Sequence, residues 1–327
     1  MNMTGGDMIL AKVGVVIPHF NSVNAVIKLL DSIYNDNKAF NLIETVVVDD
    51  KSTDDMHLLE EKIDDMENVK LIFNSSYKKG AGVCRNIGLK NIQSKWLIFA
   101  DADDYFEENL INKILKFIDS KADIIYFRYI SRMIGTSVIA NRHHYGNSLL
   151  ENYIKKPYSK NESLLKYNWV VPWGRMIRTS IVKGNKIRFD EIRVSNDVMF
   201  SMKLAAHTKN IETSPEILYC VTKSSGSLTT TKNKENYEIR SYVTIDRYLY
   251  LKNNIKAEEF KPLDIYFGKW LLDGINLYDL SLKEGFQYFV LFKKKGIKFF
   301  PKLSKIFKLS RVVKETINEK NFKTNKG

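Results

Sequence analysis

The chain has 327 residues, of which 44% are hydrophobic and 27% charged. That is a globular composition with material for about two domains at ~150 residues each, and 16 Gly and 6 Pro exclude a collagen-like or low-complexity chain. Two cysteines, Cys84 and Cys220, cannot build a disulfide framework or a Cys-rich zinc site, which points to a reducing compartment. The net charge is +13, with +10 of it in residues 281–327, so a nearly neutral body carries a basic tail.

The opening segment contains Asp7 and no long apolar run, which makes a poor signal peptide. No window approaches the roughly 18 apolar residues of a membrane span. The expected location is cytoplasmic, with peripheral contact at the inner face of the plasma membrane.

In chain order, Val13–Ile17 is β-branched and reads as a strand ended by Pro18. Val23, Val26, Leu30 and Ile33 recur at helical spacing. Thr45–Val48 is a second strand running into Asp49 and Asp50, and Leu58, Leu59, Ile63 and Met66 mark a helix. Lys70–Phe73 is a third strand, Gly80–Asn91 a loop entering a helix, and Trp96–Ala100 a fourth strand meeting Asp101. A helix through Leu110 and Ile114 and a fifth strand at Asp123–Ile130 follow. Beyond Tyr145 the pattern loosens: Ile187–Phe189 reads as a short strand, Asn196–Ala206 as a helix capped by Ser195 or Asn196, and Ile217–Val221 as a strand. From Asn233 onward the pattern is helical.

Strand–helix alternation with continuous apolar strands predicts an α/β fold with a mainly parallel sheet covered on both faces. Ligands of such sheets bind at the carboxyl ends of the strands. His19 and Asn21, Asp49 and Asp50, and Asp101 and Asp103 all follow strands, so they are expected to converge on one crevice.

Three segments carry chemistry. Asp101-Ala102-Asp103-Asp104 puts three carboxylates within four residues, a repulsion that a divalent ion such as Mg²⁺ or Mn²⁺ would relieve, although a helix cap is the plainer reading. Asp49-Asp50 suits ribose or base contacts, or an Asx-turn. Lys78–Gly88 is a glycine loop entering a helix with basic residues on both sides, a place that favours anions. It follows neither a first strand nor a P-loop pattern, so dinucleotide and P-loop readings fail.

Together Val15–Asn21, Val47–Asp54, Gly80–Gly88 and Ala100–Asp104 resemble the ordered signature of family 2 glycosyltransferases with the GT-A fold. Ile187–Glu191 followed by Asn196–Phe200 is similar to that family's "F-x-E … E-D-x-x-F" region, with Asn196 where the family usually has Glu. The resemblance implies a catalytic domain at 1–232, with a nucleotide-sugar half at 10–130 and an acceptor half at 131–232, and a helical basic region at 233–327. It implies that Pro18, Phe20, Asn21, Asp49, Asp50, Arg85, Asp101 and Ala102 line the nucleotide-sugar site, that Asp103 binds the metal, and that Asp197 is the base. It places the acceptor near Trp173 and Arg175. The Q-x-x-R-W signature of processive members is absent, which favours transfer of one sugar at a time.

The implied activity is inverting transfer from a nucleotide-sugar, with uridine the expected base, to a glycan or lipid-linked acceptor in surface-polysaccharide assembly. A nucleotidyltransferase would need a glycine-rich loop that Val13–Asn21 lacks, and an inactive binding relative would not need Asp101, Asp103 and Asp197. Ser225–Thr229 is a glycine loop suited to contact a diphosphate or act as a lid, and Phe292–Val313 interleaves aromatic and basic residues as a membrane-surface segment does. Nucleic acid is not expected as a partner. His143 and His144 read as a surface loop.

Overall fold

The structure, a computed structural model, describes residues 11–223 and 231–302. The Ser225–Thr229 loop and the basic tail beyond residue 302 lie outside these residues. The chain divides into two compact units, Met1–Thr231 and Lys232–Gly327.

The first unit opens with β1 (Val13–His19), α1 (Val23–Tyr34), α2 (Ala39–Leu42), β2 (Ile43–Asp49), α3 (His57–Asp64), β3 (Val69–Phe73), α4 (Ala81–Asn91) and β4 (Trp96–Phe99). β5 (Tyr105–Phe106), α5 (Leu110–Leu115), β6 (Ile124–Met133), α6 (His144–Lys155), α7 (Ser159–Asn168), β7 (Arg175–Arg178), α8 (Thr179–Gly184), α9 (Val198–His207) and β8 (Ile211–Lys223) complete it. The described residues make one eight-stranded sheet in the order β3-β2-β1-β4-β7-β6-β8-β5.

The sheet is parallel through β3, β2, β1 and β4, as the apolar runs predict. Beyond β4 it is mixed: β7 is antiparallel to both β4 and β6, and β5 to β8, while β6 and β8 are parallel. Residues of β1, β2 and β4 are almost all buried because α-helices cover both faces. Gly14 and Gly88 let helix and strand approach closely, since a Cβ at Gly88 would overlap the Val16 side chain.

Several local readings need correction. β1 runs through Pro18 to His19, and α3 begins at His57 and ends at Asp64, before Met66. β8 begins at Ile211, six residues before the predicted strand. Its register with β6 jumps from Phe127↔Ser214 to Arg128↔Ile217, so Pro215 and Glu216 bulge out where a proline cannot donate to the ladder. Ile187–Phe189 is not a strand. The Phe189 N–H donates to Asn86 Oδ1 and its carbonyl accepts from Asn86 Nδ2, both at 2.9 Å. A side-chain amide thus takes the place of a neighbouring strand.

The second unit contains α10 (Lys234–Asn254), α11 (Ala257–Phe260), α12 (Gly268–Leu277) and α13 (Leu282–Lys294). Tyr237 stacks on Trp270 at 4.8 Å, and Phe267 on Phe292 at 4.8 Å, giving it apolar centres of its own. Ser281 and Glu284 cap α13 reciprocally. Among the described residues no helix is long and apolar enough to cross a membrane.

Candidate active site

The loops after β1 and β2 are stitched together. Asn21, at φ 46°, donates its N–H to Ser52 Oγ (2.9 Å) and accepts from the Thr53 N–H (2.8 Å). Asp49 closes an Asx-turn, accepting from the N–H groups of Lys51 (3.0 Å) and Ser52 (3.2 Å). Asp50 accepts from Asn74 Nδ2 (2.8 Å) and the Gly80 N–H (2.6 Å), tying β2 to the start of α4. Both carboxylates are buried. His19, also buried, hydrogen-bonds Ser22 Oγ, and desolvation holds its imidazole below the ordinary histidine value against the pull of Asp49. Pro18 is half-buried, and Phe20 is half-exposed with the Lys79 ammonium 5.4 Å from its ring centroid.

The centre is Arg85 on α4, only 5% exposed. Nη2 donates to Asp101 Oδ1 at 2.5 Å and Nη1 to Asn196 Oδ1 at 2.8 Å. Its guanidinium lies 5.3 Å from the Phe189 ring centroid, and Phe189 stacks on Phe200 at 3.9 Å with Phe99 edge-on at 4.8 Å. Gly82 permits this packing, because a Cβ there would overlap the Asp190 carbonyl oxygen. The departure at residue 196 therefore has a physical meaning: a neutral amide accepts from Arg85, and Asp101 is the carboxylate hydrogen-bonded to that cation.

The acidic turn after β4 is held from β8. The Asp101 N–H donates to the buried Tyr219 hydroxyl (2.8 Å). The Thr222 N–H donates to Asp104 Oδ1 (2.7 Å), and the Thr222 hydroxyl to the Asp103 carbonyl (2.9 Å). Asp104 is thus a buried brace and caps no helix, since α5 is preceded by Asn109. Ala102 packs against the core between its acidic neighbours. Asp103 is exposed at the surface of this turn. Desolvation and the Asp101 charge push its carboxyl above the usual range, against the pull of the Arg142 guanidinium.

Asp197 stands at the start of α9, where an acid would ordinarily cap the helix, yet its side chain makes no capping hydrogen bond. Ser195 takes φ 60°, and helical geometry begins at Val198 instead of Asn196. Burial pushes the Asp197 carboxyl up; the Arg85 and Arg175 charges oppose that shift, and Asp101 adds to it. These interactions put Asp197 in the same electrostatic neighbourhood as Arg85 and Asp101, although 96 residues separate the two acids.

The Trp173 and Arg175 readings are corrected. Trp173 is 3% exposed, packed edge-on against Tyr129 at 4.6 Å and stacked on Tyr219 at 6.0 Å, so no ring face is open to a sugar. Arg175 is fully buried and donates to Val171 O (2.6 Å) and Ser201 Oγ (3.1 Å). Ser201 lies one turn after Asp197, so Arg175 is tied to the first turns of α9 and is closed off from solvent. Sequence reasoning missed Asn86, Tyr219 and Thr222, whose roles are visible only once distant elements meet.

No group of three or more His, Cys, Asp or Glu side chains that could hold a metal occurs among the described residues. A cavity of about 480 Å³ between Asn21–Ala25 and Asp54–Leu58 includes Asn21 but not Asp49, Asp50, Arg85, Asp101, Asp103 or Asp197.

The half-parallel sheet, with carboxylates at its strand ends beside a buried arginine, has the architecture of the GT-A fold. The family description Glycosyl transferase family 2 matches residues 14–184, more than half the chain, and the chain belongs to that family. It is 25% identical over 242 residues to the poly(ribitol-phosphate) β-N-acetylglucosaminyltransferase TarS of Staphylococcus aureus, covering 72% of this chain but 40% of TarS. The chain therefore spans about two fifths of that relative's length. TarP of the same species and activity name is 24% identical over 258 residues, 76% of each chain. The crystal structure of S. aureus TarS 1–349 with UDP-GlcNAc superposes with a TM-score of 0.65 at 22% identity, covering 85% of this chain and 78% of that one. A Pyrobaculum calidifontis mannosyltransferase with GDP-Man and Mn²⁺ gives 0.52 at 14% identity, covering 87% and 81%.

Proposed function

We propose that this glycosyltransferase moves a single sugar from a UDP-sugar to a hydroxyl of a glycan or lipid-linked acceptor, inverting the anomeric centre. The observation that carries the reading is the Arg85 guanidinium shared by Asp101 at the end of β4 and Asp197 at the start of α9, with Asp103 beside Asp101 on the same turn. The S. aureus TarS 1–349 complex with UDP-GlcNAc supports uridine as the base and N-acetylglucosamine as a sugar of the right class.

In this reading Asp197 takes the proton of the acceptor hydroxyl as its oxygen attacks the anomeric carbon. Its carboxylate makes no helix-capping bond, and burial raises its affinity for a proton, both of which suit a general base. Asp101 and the strand-end loops around Asn21, Asp49 and Asp50 orient the nucleotide, and Arg85 fixes Asp101 in place. Asp103 would hold a divalent ion. Among the described residues there is no complete ligand cage, and Mg²⁺ or Mn²⁺ commonly binds through one or two carboxylates with waters and substrate phosphates. Held there, such an ion would supply positive charge to offset that on a departing diphosphate.

The test is turnover with a panel of UDP-sugars. Asp103→Ala and Asp197→Asn are expected to lower turnover at least about 100-fold, the scale of a lost general base, with the fold intact by circular dichroism. Full turnover in either variant would remove that residue from its role. We further propose cytoplasmic residence with contact at the membrane surface. Exposed Leu282 and Phe286 beside the lysines of α13 support it.

A further inference from the structure

The start of α9 is gripped from two directions. From α4, Arg85 Nη1 donates to the side-chain oxygen of buried Asn196, the residue before Asp197 (2.8 Å). From β7, Arg175 Nη2 donates to Ser201 Oγ (3.1 Å), and the Ser201 N–H donates to the Asp197 carbonyl (3.0 Å). Both acceptors are neutral. Asp197 lies between them, half-buried, with part of its surface open. Arg85 forms its ion pair with Asp101 at 2.5 Å. Arg175 is fully buried, and its Nε and Nη1 make no hydrogen bond. A buried cation is costly without an opposite charge. Burial holds the Arg175 guanidinium below its ordinary value, against the pull of Tyr126 and Asp197. Tyr126 is the register partner of Arg175 on β6; burial pushes its phenol up to about 12, so it is uncharged at neutral pH and Asp197 supplies the anion.

Two cations, Arg85 and Arg175, thus face two carboxylates, Asp101 and Asp197. Other charged groups reach α9 from its neighbours. On α7, Lys166 donates to Thr208 O at the far end of α9 (3.0 Å) and lies 3.8 Å from Glu162. On α8, Lys183 donates to Ile92 O. In the segment before α9, Glu191 pairs with Lys78 at 2.6 Å, Arg193 is exposed, and the Asp190 N–H donates to Asn196 O (3.0 Å). A carboxylate at position 196 would set a third anion against the two arginines, directly beside the base in the chain. Like charges this close disfavour ionisation of one of them. The Asn196 amide gives Arg85 the same acceptor oxygen without the charge.

We propose that Asn196 and Arg175 are positioning residues for the base: together they fix the start of α9 and keep two cations against two carboxylates, so that Asp197 stays ionised and ready to take a proton. This rests on the reading of Asp197 as the base and adds what governs its protonation.

The test is a carbon-13 carboxyl titration of the full chain labelled at its aspartates, without donor or metal. The Asp197 signal is identified by its loss in Asp197→Asn. Asn196→Asp, a change of charge at constant size, is expected to raise the Asp197 midpoint by about one pH unit. Arg175→Met removes a cation and is expected to raise it at least as far, whereas Arg175→Lys keeps the charge and is expected to leave it near the wild-type value. An unmoved midpoint in Asn196→Asp would overturn the proposal. So would equal shifts in Arg175→Met and Arg175→Lys, which would mark Arg175 as a packing residue alone. Loss of the fold in Arg175→Met leaves the decision to Asn196→Asp, whose shape is that of the wild type. In turnover with a UDP-sugar, the acid limb of the pH–rate profile is expected to move with the midpoint. A midpoint that moves while the limb stays would sink the base reading instead, and the charge balance around Asp197 would stand.

Discussion

At the scale of single residues, Asp197 shows a conflict between stability and chemistry. Its carboxyl is pushed up by burial, so the folded chain holds its proton more tightly than the unfolded chain does. Stability from this group is present below the unfolded carboxylate value and is lost as pH rises through the folded one. Asp197→Asn is therefore expected to be more stable than the wild type at pH 8, by about 1 kcal/mol, and to lose that advantage near pH 3. Thermal melts at the two pH values check it, and equal melts at pH 8 would refute it. For the same reason the acid limb of the pH–rate profile is expected above the range of a free carboxylate. Asp101 and Asp103 could be singled out because they follow an apolar strand, whereas Arg85 and Asp197 were candidates through the family resemblance. Trp173 and Arg175 were not, because a Pro-Gly turn looks exposed in sequence while the rings that cover Trp173 come from β6 and β8, more than 40 residues away on either side.

At the scale of elements, the four parallel strands could be read directly, since strands covered on both faces need uninterrupted apolar runs. β5 and β7 could not, because two- and four-residue strands carry no period to detect. The 187–189 segment looked like a strand and is coil, its polar backbone groups taken by a side chain. Packing of α4 against 190–196 depends on Gly82 having no Cβ. Gly82→Ala is expected to destabilise the chain by about 2 kcal/mol and to weaken UDP binding together with it, measured by denaturant unfolding and calorimetry. Thr222→Val keeps the backbone donor to Asp104 and removes the hydroxyl to Asp103. Its expected effect is a rise in donor KM with little change in melting temperature, measured by initial rates.

At the scale of the whole molecule, two units with separate apolar centres predict that heat unfolds the chain in two steps. UDP with Mn²⁺ is expected to raise the transition of the Met1–Thr231 unit alone, by the equivalent of about 2.7 kcal/mol at 100 times its Kd. A single transition, or an equal shift of both, would contradict this in a scanning calorimeter.

The clamp between Asn86 and Phe189 joins residues 103 positions apart, and Arg85 to Asn196 spans 111. Contacts this distant are slow to form, since a long loop must close before they return any energy. On the ribosome, the parallel strands β1 to β4 emerge with their loops and can pair early. The pocket they will serve stays incomplete until nearly 200 residues have left the exit tunnel. A nascent chain halted short of that point would have a sheet but no grip on its donor, so competence for chemistry arrives in a single late event of synthesis.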